Sequence, residues 1–180
     1  MLDTSILQQV TEIFRNLEAD YTFRISYAPQ REESSQLIEF LNDFASTSAR
    51  LNVEKQEAEG DTLAFSLLKN GEDTGIAFRG IPNGHEFTSL LLAVLNADGK
   101  GKNLPDEGIA QRVRSLSGDI HLQTYVSLTC TNCPDVVQTL NIFALLNPNI
   151  RHEMVDGALF QSEVDAKGVQ AVPAVFADGK

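Results

Sequence analysis

Three patterns that few folds accommodate together meet between residues 120 and 144. Ile120, Leu122, Thr124 and Val126 alternate with His121, Gln123 and Tyr125, the period of a strand with one buried face. Val136, Leu140, Phe143 and Ala144 then recur at the spacing of a helix's apolar stripe. Between them stands Thr129-Cys130-Thr131-Asn132-Cys133-Pro134-Asp135, which holds both cysteines of the chain. The run predicts a strand, a tight turn and a helix packed back on the strand, with the thiols at the turn and on the first helical turn.

Chemistry favours a thiol pair there. The first turn of a helix offers backbone N–H groups without intrahelical partners and the positive end of the helix dipole, and both stabilise a thiolate. Cys130, the more N-terminal sulfur, is therefore the expected nucleophile, and Cys133 the resolving thiol that closes a disulfide and releases a bound partner. Pro134 lacks an N–H, which costs nothing so early in a helix. A metal-bound or inert pair is the alternative. A structural zinc site needs four ligands, and the chain offers only these two cysteines and the scattered His85, His121 and His152, so no metal is expected. Each histidine reads as a surface or cross-strand residue.

The chain has 25 acidic and 14 basic residues among 180, a net charge of −11 that argues against a nucleic-acid partner. No apolar run reaches the length of a membrane span, and Met1-Leu2-Asp3-Thr4-Ser5 lacks the basic and apolar regions of an export signal. A cytoplasmic location is expected, where a cysteine pair is more often catalytic than structural.

From the N-terminus, residues 3–17 read as a helix capped by Asp3 or Thr4, and Tyr21 to Tyr27 as a strand. A helix from about Ser34 and a polar edge strand at Leu51 and Val53 follow. Leu63 to Leu68 and Ile76 to Phe78 flank the turn-forming Asn70–Gly75, which predicts a hairpin. Asn83 caps a further helix, with Glu86 at the third helical position of a capping box. Residues 97–106 are glycine-rich and polar, the best candidate linker or long loop. Beyond the cysteine helix come a strand near Ile150 to Val155, a helix from about Ala158 preceded by Asp156 as its cap, and a strand at 174–176. Phe176-Ala177-Asp178-Gly179-Lys180 reads as a strand entering a hairpin turn without its return strand.

Cys130-Thr131-Asn132-Cys133-Pro134-Asp135-Val136-Val137-Gln138-Thr139-Leu140-Asn141, Leu146-Asn147-Pro148-Asn149-Ile150 and Val172-Pro173-Ala174-Val175-Phe176 resemble the N-terminal domain of the flavoprotein component of alkyl hydroperoxide reductase, the disulfide reductase of bacterial peroxiredoxins. Met1-Leu2-Asp3-Thr4 and Gly84-His85-Glu86-Phe87-Thr88-Ser89-Leu90 are similar to the same family, so the likeness spans nearly the whole chain. Together with the element order, it implies an α/β fold of two tandem thioredoxin-like units. Residues 1–102 form the unit without cysteines; residues 103–180 carry the redox pair and stop short of the last hairpin. A longer parent chain is expected, whose further portion binds FAD and NADH or NADPH. No G-x-G-x-x-G occurs here, so this chain itself is expected to bind neither cofactor.

The resemblance also assigns roles. Electrons pass from the flavin portion to Cys130 and Cys133, and from them to a peroxiredoxin, the second component of the reductase. Pro173 is expected to be cis, leaving the Val172 backbone free to pair with a bound partner, and Thr131 and Asn132 line the same contact. The resemblance also implies that Glu86 lies near the thiols, able to take or steer a proton, beside its reading as a helix cap; strand 120–126 offers no buried carboxylate, so Glu86 or water must take the Cys133 proton. Two other readings stand beside this one: a general protein disulfide reductase or isomerase of tandem-thioredoxin type, and a non-catalytic adaptor.

Overall fold

The structure is a computed structural model that describes residues 2–180; Met1, part of the opening motif, lies outside the described residues. Its contacts divide the chain into two compact units, Met1–Asp73 and Thr74–Lys180.

The first unit is built around strand β1 (Tyr21–Tyr27), whose Tyr21, Phe23 and Ile25 are fully buried. Helix α1 (Thr4–Ile13) precedes it, capped by Asp3, whose carboxylate accepts from the Ser5 N–H at 2.7 Å. The helix ends four residues before the expected Leu17, yet Phe14 and Leu17 are both buried. The apolar stripe continues through a turn, so its periodicity outlasts the helix. Helix α2 (Glu32–Ala45) and strands β2 (Leu51–Glu57) and β3 (Leu63–Lys69) complete the unit. β2 runs parallel to β1 with Phe23 beside Val53, and β3 antiparallel with Phe23 beside Leu67. Phe44 of α2 meets Phe14 and Phe23 edge to face, at ring separations of 5.5 and 5.6 Å, and Phe23 meets Phe65 at 6.0 Å.

A turn at Asn70-Gly71, both at positive φ, leads into β4 (Glu72–Arg79), so the turn is tighter than the six residues expected. The second unit continues with a 3-10 turn (Gly84–Glu86), α3 (Phe87–Ala97), α4 (Glu107–Arg114), β5 (Ile120–Val126), α5 (Cys133–Leu146), β6 (Ile150–Asp156), α6 (Gln161–Ala166) and β7 (Ala174–Ala177). β5 lies between parallel β6 and antiparallel β7, and β4 pairs in parallel with β6. Gly75 lets β4 approach, because a Cβ there would meet the Ile150 carbonyl at 2.8 Å. α3 and α4 pack against α5. The amide of Asn147, just past α5, donates to the carbonyls of Val113 and Leu116 at 2.8 and 2.9 Å, tying the end of α4 to the end of α5.

This division differs from a boundary at residue 102. β4 and α3 fall in the second unit because β6 and α5, distant in sequence, hold them. Residues 98–106 form the coil between α3 and α4, the long loop of the two readings open for that stretch. Of the two positions expected for a histidine, surface or cross-strand, His152 takes the second: it is fully buried on β6, with Nε2 2.8 Å from Thr124 Oγ1 on the neighbouring strand and Nδ1 2.7 Å from Asn141 Oδ1. Burial first, and the nearby His121 second, push its pKa down to about 3, so the ring is neutral. It then donates from Nδ1 to Asn141 and accepts from Thr124. Among the described residues no helix is long and apolar enough to cross a membrane.

Phe44 ties α2 to the aromatic cluster of the first unit. Phe44→Ala is expected to lower the unfolding free energy by about 3–5 kcal/mol, read from urea unfolding of the chain.

Candidate functional site

β5 ends at Val126, and Ser127 opens a turn that the Cys130 N–H closes by donating to the Ser127 carbonyl at 3.0 Å. α5 begins at Cys133, so Cys130 lies in the turn before the helix rather than on its first turn. The expected electrostatics survive this shift. Asn132 makes no side-chain cap, and the unclaimed Cys133 N–H donates to Cys130 Sγ at 3.2 Å. The two cysteines are joined as a disulfide across Cα atoms 5.5 Å apart. Cys133 is fully buried and Cys130 partly exposed, which suits a resolving and an attacking sulfur respectively.

Thr131 and Asn132 stand exposed between them. The Val172–Pro173 bond is cis, and the Val172 carbonyl oxygen lies 3.9 Å from Cys130 Sγ. Val172 itself is 36% exposed, so its backbone flanks the reachable sulfur at the surface. The fold thus brings Val172 and Pro173 to Cys130 and Cys133 from about forty residues away in sequence.

Glu86 is fully buried and does not complete a capping box. Asn83 alone caps the 3-10 turn, accepting from the Gly84 N–H at 2.9 Å. The Glu86 carboxyl turns inward instead: Oε2 accepts from the Ser89 hydroxyl at 2.6 Å, and Oε1 has no hydrogen-bond partner among the described residues. Burial pushes its pKa up to about 7, against a smaller opposing pull from the Ser89 hydrogen bond. The turn that carries it is fastened to the thiol loop. The His85 N–H donates to the Leu128 carbonyl at 3.0 Å, and a Cβ at Gly84, where φ is +54°, would meet that oxygen at 2.6 Å. The turn also packs against α5.

β5 carries no carboxylate, and its buried Thr124 is committed to His152. Asp156 is buried at the end of β6 and accepts from the Ala158 N–H at 3.1 Å, so it shapes the turn before α6 rather than capping a helix that begins at Gln161. Burial raises its carboxyl above the usual range. A charged cluster that sequence reading passed over anchors α6. Arg79 bonds both carboxylate oxygens of Glu163, with one contact at 2.8 Å, Tyr125 donates to Glu163 Oε2 at 2.9 Å, and the guanidinium stacks 4.1 Å above the Phe160 ring. α6 leads into the segment that carries Val172 and Pro173, so this cluster holds the approach to the disulfide. Its only sequence signal was an arginine closing a strand.

The titration of Glu86 has a consequence for stability. The folded carboxyl keeps its proton up to about pH 7, whereas the unfolded one loses it near 4.5, so stability falls as pH rises through that window. Glu86→Gln removes the charge. Its stability relative to the parent chain is expected to rise by roughly 3 kcal/mol between pH 4.5 and pH 7, measured by urea unfolding at each pH.

A family model described as Thioredoxin domain matches residues 120–180. The whole chain aligns at 42% identity with a protein of Bacillus subtilis named NADH dehydrogenase and with the F component of alkyl hydroperoxide reductase from Staphylococcus epidermidis, covering 35% and 34% of their lengths. It therefore spans about a third of the curated relatives it matches. Among solved structures, the NTD_N/C domain of alkylhydroperoxide reductase AhpF from Enterococcus faecalis superposes with a TM-score of 0.89 at 31% identity, over 100% of this chain and 92% of that one. Such a match, over almost the full extent of both domains, places the chain in the family of N-terminal domains of AhpF-type alkyl hydroperoxide reductases, with an α/β, thioredoxin-like fold.

Proposed function

We propose that this chain is the thiol–disulfide relay of a hydroperoxide-reducing system. In this reading it is the protein-disulfide reductase domain of a longer cytoplasmic chain, whose further portion binds FAD and NADH or NADPH. That portion reduces the Cys130–Cys133 disulfide, and the dithiol reduces an oxidised peroxiredoxin, the peroxide-consuming component of the system. The names carried by the longer relatives support the parent system. One observation carries the chemistry: a partly exposed sulfur, Cys130, accepts a hydrogen bond from an otherwise unclaimed helix N–H, with a buried sulfur as its disulfide partner.

In the forward step the Cys130 thiolate attacks one sulfur of the peroxiredoxin disulfide. A mixed disulfide forms and the other peroxiredoxin sulfur leaves as a thiolate, which takes a proton from water. Cys133 then loses its proton, attacks Cys130 Sγ and expels the second peroxiredoxin thiolate. Two electrons have moved to the partner, whose second thiolate also takes its proton from water. Thr131, Asn132 and the Val172–Pro173 backbone form the surface against which the partner segment rests. Glu86 takes the Cys133 proton, and returns one to the Cys133 sulfur when the flavin portion reduces the disulfide. A carboxyl that titrates near neutrality, with one oxygen free of partners among the described residues, serves both directions.

Reduced protein is mixed with oxidised peroxiredoxin or with insulin, and thiol release is followed. Only peroxiredoxin is expected to be reduced at a useful rate. Cys130→Ser abolishes the reaction, and Cys133→Ser accumulates the mixed disulfide as a band on non-reducing gels. Equal reduction of insulin would show a general disulfide reductase, and reduction of neither an adaptor. Glu86→Gln is expected to slow resolution of the mixed disulfide roughly 10²-fold and to remove its inflection near pH 7.

A further inference from the structure

The hydrogen bond that Glu86 receives is the last of a chain of three. Gln138 on α5 donates from Nε2 to Ser89 Oγ at 3.4 Å, and Asn103 donates from Nδ2 to Gln138 Oε1 at 3.4 Å. Glu86 and Ser89 are fully buried and Gln138 is 7% exposed, while Asn103 stands at the surface between α3 and α4. The chain has one sense. Asn103 can only donate to the Gln138 carbonyl, which turns the Gln138 amide toward Ser89. With its oxygen accepting that amide, the Ser89 hydroxyl has one proton left to give, and Glu86 Oε2 is 2.6 Å away. Asn103 itself sits at φ +62°, a left-handed conformation that asparagine and glycine tolerate better than other residues.

We propose that Ser89, Gln138 and Asn103 are positioning residues that set the proton affinity of Glu86, with Asn103 holding the chain in register from the surface. The inference rests on the reading of Glu86 as the proton carrier of the relay. Every donor in the chain points toward the carboxyl, so the chain favours the carboxylate and counteracts its burial. Among the described residues no charged side chain bonds to the carboxyl. α3 carries no charged residue, and of the titratable groups on the other packed elements, His85 and Asp135 are exposed and Cys133 is buried. Neutral donors alone must hold the carboxyl within reach of neutral pH.

The test compares the parent chain with Ser89→Ala, Ser89→Thr, Gln138→Leu and Asn103→Gly, the last keeping the left-handed backbone while removing the amide. Two quantities are read against pH: the rate of mixed-disulfide resolution, and the infrared band of the protonated Glu86 carboxyl, identified by its loss in Glu86→Gln. Ser89→Ala is expected to move both midpoints up by about one pH unit, the worth of one hydrogen bond to a charged group. Ser89→Thr restores them, and Gln138→Leu and Asn103→Gly move them in the same direction by less. Unchanged midpoints in folded Ser89→Ala overturn the proposal. A shift there with none in Gln138→Leu and Asn103→Gly overturns the part of the chain beyond Ser89. If Ser89→Ala fails to fold, Gln138→Leu decides alone. If Glu86→Gln leaves the resolution profile untouched, the proton-carrier reading fails, while the infrared midpoint still tells whether the chain sets the carboxyl's affinity.

Discussion

The backbone N–H of Cys133 can serve Cys130 Sγ because α5 begins at Cys133 and Asn132 leaves that donor unclaimed. Much of the second unit exists to hold that one geometry. β5 is clamped between β6 and β7, so the chain leaves the sheet at a fixed point. α5 is held at its far end by Asn147 and along its flank by α3, so its first turn cannot drift from the strand that feeds it. The Arg79–Glu163 pair fixes α6, and with it the segment that brings the Val172 carbonyl to the sulfur.

His152 and Glu86 are both buried titratable groups of the second unit, and they behave oppositely. His152 is enclosed by Thr124 and Asn141, both ring nitrogens are satisfied, and its pKa near 3 keeps it neutral at any physiological pH. It is a packing element with polar edges. Glu86 has one oxygen without a partner among the described residues, and its titration falls near 7. Solvent exclusion acts on both; the number of satisfied atoms separates the inert group from the one able to exchange a proton.

The local patterns were legible in the sequence. Alternation from Ile120 to Val126, the cysteine spacing and Pro134 together mark a strand, turn and helix, and Val172-Pro173 could be placed beside the thiols through the family likeness. What escaped was long-range. That β4 belongs with β6 depends on a parallel pairing across more than seventy residues, which no local period reports. Ser89 and Gln138 lie on different helices, forty-nine residues apart in sequence, so neither could be read as half of a hydrogen bond. For His152 a cross-strand position was among the expectations, but its second partner, Asn141, comes from a helix that no local pattern points to. Glu86 was legible as a helix-start acid, but only the burial of its carboxyl reveals that it does not cap.

Gly84 and the Leu128 carbonyl touch through main chain alone, at a separation that leaves no room for a β-carbon. Registration between the acid-bearing turn and the sulfur-bearing loop is therefore indifferent to what most neighbouring side chains become. Lineages could exchange the exposed His85 side chain and keep the two segments in step, provided position 84 stays bare. The apposition of the two segments is thus insulated from ordinary sequence drift and exposed to it at a single hydrogen atom.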